Sequence, residues 1–488
     1  MHNSSQPAPL HVLIIGAGFG GLGLAIQLQK AGIQDFLILE KGSDVGGTWR
    51  DNSYPGAACD VPSHLYSFSF EPKADWSRKF APQQEIFGYQ RHCADKYGLR
   101  RHIRFGCEVA EAEFEASIGT WTVSTRAGER FRARALVSAC GQLNRPAWPR
   151  IAGLDGFKGA LFHSACWDHD YSLEGKRVAV VGTGASAIQF VPQIAPKVAK
   201  LSLFQRSGAY VIPKPDRAYR PWEQALMRRL PWLQKVDRLL KYIQHESRVL
   251  AFSVFPPLMK VLHLAFRQHL ARSIADPALR DRLVPDYPLG CKRILISNDF
   301  YPALARPNVE VIDSGIREVT EHAVVTLDGQ RHEVDAIILG TGFTATDFLA
   351  PMSIRGLEGR DLNQAWQEGA EAYLGISVSG FPNLFILYGP NTNLGHNSII
   401  YMLESQFPYV LDGIRALTGL RYLDLKPEVQ RRFNQRLQQD VRHTVWERGC
   451  SSWYKTADGR NTNNWPGFTF SYRRQARRLE LDHYECAR

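Results

Sequence analysis

Two glycine-rich turns, each set between a strand-like and a helix-like stretch, restrict this chain more than any other feature. The first 40 residues read as strand HVLIIG, turn GAGFGG, helix LGLAIQLQKAG and strand DFLILE, with Gly16, Gly18 and Gly21 spaced as G-x-G-x-x-G. Glycines at these places permit a tight turn and a close backbone approach to a pyrophosphate at the helix N-terminus. An acid closing the second strand, here Glu40, hydrogen-bonds a ribose hydroxyl. The arrangement returns as strand RVAVVG, turn GTGASA with Gly182, Gly184 and Ala187, helix IQFVPQIA and strand KLSLFQ. The expectation is an α/β protein with two Rossmann-like dinucleotide-binding domains.

Counting 24 residues from the first glycine of each turn reaches Glu40 in one repeat and Arg206 in the other. A carboxylate there suits a free ribose 2′-hydroxyl, and a guanidinium suits a 2′-phosphate. The first fold is therefore expected to take FAD and the second NADPH. Two more strands end in glycine, ALVSACG (135–141) and DAIILGTG (335–342), and read as the points where the chain passes between domains. The expected division is an FAD domain over 1–150 and 335–488, the latter with a C-terminal active-site loop, and an NADPH domain over 151–334.

Hydrophobic residues make up 44% of the chain and charged residues 22%, the balance of a folded globular protein. No apolar run approaches the ~18 residues of a membrane span. The eight cysteines form no C-x-x-C pair and no cluster at zinc spacing, so neither a disulfide framework nor a metal is expected. The N-terminus MHNSSQPAPL lacks the pattern of an export signal, and the reading is a cytoplasmic protein with reduced thiols. The net charge of +11 is concentrated: residues 217–275 carry 11 basic and 3 acidic residues, a surplus of 8. In the same stretch Leu226, Leu230, Leu233, Val236, Leu240 and Ile243 recur at helical spacing, interrupted at Pro231. This predicts a helical subdomain, about 217–285, resting on the NADPH domain. Basic helices can contact nucleic acid or anionic membranes, but a solvated charged face is the simpler reading, and neither partner is expected.

A chain that binds both FAD and NADPH passes a hydride to flavin, and three fates are open to the reduced flavin. A disulfide reductase needs a close cysteine pair, which is missing; an electron-transfer module needs a protein partner; an oxygenase needs a dry pocket and a cation. Two segments decide between them. GGTWRDNSYPGAACD contains Gly46, Gly47, Trp49, Tyr54, Pro55, Gly56 and Asp60, and FKGALFHSACWD contains Phe157, Gly159, His163, Trp167 and Asp168. Both resemble the fingerprints of the Baeyer–Villiger monooxygenases, GGxWxxxx(F/Y)PGxxxD and FxGxxxHxxxW(P/D). With residue types used at about 5% each, seven matched positions recur by chance on the order of once in 10⁹ starts.

The resemblance extends to PLGCKRILISNDFYPAL and GCSSWY. It implies Arg293 as the active-site arginine paired with Asp60, and Lys292 and Trp453 as NADPH contacts. To the FAD side it adds Gly47, Thr48, Trp49, Asp60, Tyr66 and Val109; to the NADPH side it adds Thr183, Ser186 and Ser207. Cys140 and Gly340 stand where relatives often carry Thr and Ala, a matter of strand packing. The implied activity is insertion of one oxygen atom from O₂ beside a ketone carbonyl, giving an ester or lactone through an anionic C4a-peroxyflavin. At about 4 Å and an effective dielectric near 20, a unit charge pair is worth roughly 4 kcal/mol, about three pK units. Arginine suits that task because it stays protonated. An N- or S-oxygenating flavin monooxygenase is the alternative, followed by a flavin redox module. His163 and Trp167 read as hinge or packing residues, and Cys59 as a small buried thiol. No motif selects among ketones.

Overall fold

The computed structural model describes residues 8–450 and 452–488, and the reading of the first seven residues lies outside them. One sheet is mixed. Its strands run in the order Ser353–Arg355, Val109–Glu115, Thr120–Thr125, Arg130–Ser138, Leu10–Ile15, Phe36–Leu39 and Ile103–Arg104, and Leu384–Ile386 also pairs with Arg130–Ser138. The second sheet is wholly parallel: Val309–Ile312, Lys200–Phe204, Arg177–Val181, Ala336–Leu339 and Ala160–His163. A parallel sheet is covered on both faces and reads as continuous apolar residues. RVAVV and AIIL fit that description, with Val178, Ala179, Val180 and Ile338 fully buried.

Both nucleotide folds are locked by the same device. Gly16 and Gly182 hold φ near +104° and +105°, in the left-handed half of the map that side chains avoid. A Cβ on Gly16 would lie 2.7 Å from the Ala139 carbonyl oxygen, and one on Gly182 would lie 2.6 Å from that of Gly340. Each turn is thus pressed against the end of one of the two glycine-terminated strands, and in each fold the tight turn sits where a nucleotide would enter.

Three expectations are corrected. The hand-over at 334/335 lies later, because Ala336–Leu339 sits between Arg177–Val181 and Ala160–His163 in the second sheet; the chain rejoins the first sheet at Ser353. The helical subdomain exists, as Pro221–Arg229, Pro231–Glu246, Met259–Ser273 and Pro277–Leu283. Its later helices do rest on the NADPH domain, where Phe266, Leu270 and Leu283 join the core around Val178 and Tyr210, but the stripe Leu226, Leu230, Val236, Leu240 and Ile243 points away and is exposed. Finally, the thiols are not all free, since Cys291 and Cys450 form a disulfide with Cα atoms 6.2 Å apart. Their separation of 159 positions leaves no spacing signal.

Steric closure around the first turn predicts a clear contrast. A Cβ on Gly21 would meet the Gly16 carbonyl oxygen at 1.9 Å, whereas one on Gly156 meets nothing within 4 Å. Gly21→Ala is expected to destabilise by about 1–3 kcal/mol through overpacking, and Gly156→Ala to stay within about 0.5 kcal/mol. Thermal melting of the two variants beside the parent checks this.

Candidate active site

A cavity of about 1500 Å³ lies between the two nucleotide folds. From the first fold it is lined by Gly16, Gly18, Glu40, Gly47, Thr48, Trp49, Asp60, Tyr66 and Val109. Gly182, Thr183, Gly184, Ser186, Arg206, Ser207, Lys292, Arg293 and Trp453 line it from the opposite side. Gly21 is absent from the lining, as its close packing against Gly16 requires.

On the first side the helix Phe19–Lys30 begins behind Gly18, and the nearest atom to a Cβ on Gly18 would be Gly47 Cα at 3.8 Å. The middle glycine therefore faces open room, as a pyrophosphate requires. Glu40 is buried and accepts from the amides of Ala17 at 2.8 Å and Gly42 at 2.7 Å and from Arg50 Nη1 at 2.8 Å. These bonds fix the carboxyl group at the strand end. Trp49 Nε1 donates to the Tyr66 hydroxyl at 3.1 Å.

On the second side Gly184 is similarly open, its would-be Cβ 3.8 Å from the Gly340 oxygen. Arg206 is exposed and has no hydrogen bond or ion pair among the described residues. Lys292 Nζ stands 4.2 Å from the centre of the Tyr287 ring. Burial lowers the Lys292 pKa, and Arg206 lowers it further against the pull of Asp286. Two cations kept within electrostatic reach of one another cost energy that an anion between them repays. Ser207 Oγ donates to Asp286 at 2.6 Å, and Thr183 Oγ1 donates to the Ser207 carbonyl at 3.5 Å. The residues thus fit a phosphorylated dinucleotide on this side and an unphosphorylated ribose on the other.

Between the two sides stands an ion pair. Arg293 donates to Asp60 Oδ2 from Nε at 3.0 Å and from Nη2 at 2.5 Å. Each side chain is 30% exposed, and both line the cavity. Asp60's charge, aided by its hydrogen bonds, raises the Arg293 pKa over the opposing effect of burial. Burial alone would raise the Asp60 carboxyl, but the charge and hydrogen bonds of Arg293 outweigh it and hold the group below the ordinary 3.8. The loop before Asp60 is tied to the second fold by Gln189, which accepts from Tyr54 Oη at 3.0 Å and donates to the Ala58 carbonyl at 2.9 Å.

The second fingerprint lies apart from this pair. His163 is buried, its Nδ1 accepts from Ala165 N at 3.1 Å, and its ring contacts Trp148 and Phe343. These rings belong to the two segments crossing between domains, which bond to each other through Ala147 N to the Gly342 carbonyl and Thr344 N to the Arg145 carbonyl. Burial lowers the His163 pKa. Trp167 packs on Phe162 and Phe190. Cys59 is buried, and burial pushes its thiol pKa up, away from a reactive thiolate.

Several site residues carry no sequence signal. Tyr388 takes a positive φ of 59° in the turn YGPN and donates to Asn393 Oδ1 at 2.6 Å. Tyr388 and Tyr454 are both close enough to Arg293 for its charge to act on their phenols, whose pKa values burial raises. Buried polar atoms without partners gather beyond: His396 Nδ1 and Nε2, His245 Nε2, Trp446 Nε1 and Tyr454 Oη. Phe252 links them, with ring centres 6.4 Å from His396 and 5.9 Å from Trp446. Only the positive φ at Tyr388 is a local peculiarity, and a tyrosine before glycine does not announce it.

Residues 13–239 match the family model described as pyridine nucleotide-disulphide oxidoreductase. A Baeyer–Villiger monooxygenase of Pseudomonas aeruginosa is 48% identical over 490 residues, covering 99% of this chain and 93% of its own. The structure titled oxidized steroid monooxygenase bound to NADP superposes with a TM-score of 0.88 at 30% identity, over 99% of this chain and 100% of that one. OTEMO in complex with FAD and NADP superposes with a TM-score of 0.89 at 27% identity, over 99% and 100%. With its two nucleotide folds, its fingerprints and a near full-length match at this identity, the chain belongs to the Baeyer–Villiger monooxygenase family.

Proposed function

We propose that this chain is an FAD- and NADPH-dependent enzyme that inserts one oxygen atom from O₂ beside a ketone carbonyl, giving an ester or lactone, around the fixed charge of Arg293. Family membership supports the reaction class, and the Arg293–Asp60 pair between two nucleotide cradles is the observation that carries the residue assignment. Bound FAD supplies the oxygen-activating chemistry and NADPH the reducing equivalents. Glu40, with the Gly16–Gly18 turn, Gly47, Thr48, Trp49, Tyr66 and Val109, would hold FAD. Arg206, Lys292, Thr183, Ser186, Ser207 and Trp453 would hold NADPH. Demand for NADPH supports a cytoplasmic setting.

Arg293 uses two of its nitrogens on Asp60, and its Nη1 has no hydrogen-bond partner among the described residues. The guanidinium is thereby oriented while one face stays available to negative charge developing in the cavity. Such preorganised charge in a water-poor site needs no reorganisation when the reaction occurs. We assign the ketone to the part of the cavity lined by Arg293, Tyr388 and Trp453, beside which His396, Trp446 and Tyr454 are buried. An N- or S-oxygenating enzyme, or a flavin redox module, would leave the Arg293–Asp60 pair without a task.

Arg293→Ala is expected to bind FAD and oxidise NADPH while ester formation falls by at least about 10²–10³, with hydrogen peroxide released instead. Ester at near the parent rate would refute the role. Since folded Asp60 titrates below 3.8, the pair stays charged above that value and is lost only as pH falls through the lower folded pKa. The pH profile of ester yield should therefore show no acid limb from this pair above 3.8.

A third prediction concerns coenzyme choice. The parent should strongly prefer NADPH to NADH. Arg206→Ala should raise KM for NADPH by about 10- to 150-fold, the equivalent of about 1.5–3 kcal/mol for a charged hydrogen bond, with KM for NADH little changed. Equal affinity of the parent for both coenzymes would remove the assignment.

A further inference from the structure

The helix Pro231–Glu246 is mounted inside out. Its outward face is Trp232, Val236, Leu239, Leu240 and Ile243, all more than 40% exposed. Its inward face carries Gln234, Arg238, Tyr242 and His245. Arg238 Nη1 donates to the carbonyls of His64 at 2.8 Å and Ser67 at 2.7 Å, and Tyr242 Oη bonds Thr469 Oγ1 at 3.1 Å. The apolar surface continues along the chain through Val254, Phe255 and Leu258 to Val261 and Leu264 of the next helix, and the two helical arms diverge by 115° at this break. Monomeric proteins seldom leave such a continuous apolar patch to water.

The charges around it are one-sided. Arg228, Arg229, Lys235, Lys260, Arg267 and Arg272 are exposed. The three carboxylates of 217–275 are withdrawn: Glu223 pairs with Arg217, Asp237 faces Lys241 at 4.0 Å, and Glu246 is buried on Asn397 and Thr469. A second copy would bring like charges together, whereas an anionic bilayer surface complements them. We propose that this face docks on the surface of an anionic membrane, with the apolar residues in the headgroup boundary and the cations on lipid phosphates, without crossing it. Apolar burial and attraction to anionic lipid together drive such interfacial helices, and each nearby Lys or Arg adds on the order of fivefold in partitioning. The alternative is the solvated charged face expected from composition alone.

Sedimentation of the holoenzyme with vesicles of phosphatidylcholine alone, or with about one third phosphatidylglycerol, tests the proposal. The parent should sediment with the anionic vesicles at low salt, remain in solution with the neutral ones, and release as salt shortens the Debye length. Leu239→Ser/Ile243→Ser and Lys235→Glu/Lys260→Glu should each reduce binding at least tenfold, with FAD content and NADPH oxidation unchanged. Absence of binding to anionic vesicles, or equal binding to both compositions, would overturn it. So would sedimentation velocity showing a dimer that Leu239→Ser/Ile243→Ser dissolves, because the face would then belong to a second copy.

Discussion

One ion pair, Arg293 with Asp60, joins residues 233 positions apart and organises everything around the cavity. Moving two charges out of water costs several kcal/mol per ion unless geometry and partner charges repay it. Here both guanidinium bonds fall on one carboxylate oxygen, and each side chain keeps contact with the cavity. The pair fixes the end of the loop that starts at Gly46 and the start of the segment that leads from Arg293 into the strand Leu295–Ile296. Next to Arg293, Cys291 is bonded to Cys450, so the loop bearing Trp453 is anchored to the same segment. Charge, loop and cavity wall are thus positioned by contacts within a few residues of one another.

This view gives the spacing of the first fingerprint a physical meaning. Gly56 lacks a side chain because a Cβ would lie 2.6 Å from the Gln189 carbonyl oxygen. Tyr54 and Ala58 reach the Gln189 side chain, and Asp60 reaches Arg293. The turn YPGAACD therefore lies flat against the helix Ala187–Ile194 of the other fold. Tyr54, Gly56 and Asp60 are requirements of that contact between domains as much as of any nucleotide.

Features whose partners lie nearby in sequence, or whose geometry demands one residue type, were legible from the chain alone. Gly16, Gly182 and the strands beside them belong here, as do the places of Glu40 and Arg206 at the cavity. Topology was less so: AIIL reads as a buried parallel strand in either sheet, and only the pairing of Ile338 with Val180 and Phe162 decides. The bond between Cys291 and Cys450 depends on how a distant loop returns. The buried cluster of Phe252, His396 and Trp446 assembles three separate segments, so no window of sequence contains it.

The insert exposes a different limit. Periodicity reports that a helix has an apolar stripe, but not which way the stripe points. Orientation is decided by what the opposite face can do. The turn at 64–67 presents carbonyls of His64, Leu65 and Ser67 that need donors, and Arg238 supplies them. Glu246 likewise accepts from Thr469 N, Thr469 Oγ1 and Asn397 Nδ2. Unmet polar groups at those buried positions would cost about 1–3 kcal/mol each, against about 25 cal/mol per Å² for leaving apolar surface wet. Several charged hydrogen bonds made inward can therefore outweigh a stripe of five side chains turned outward, and the helix takes the orientation that its polar face requires.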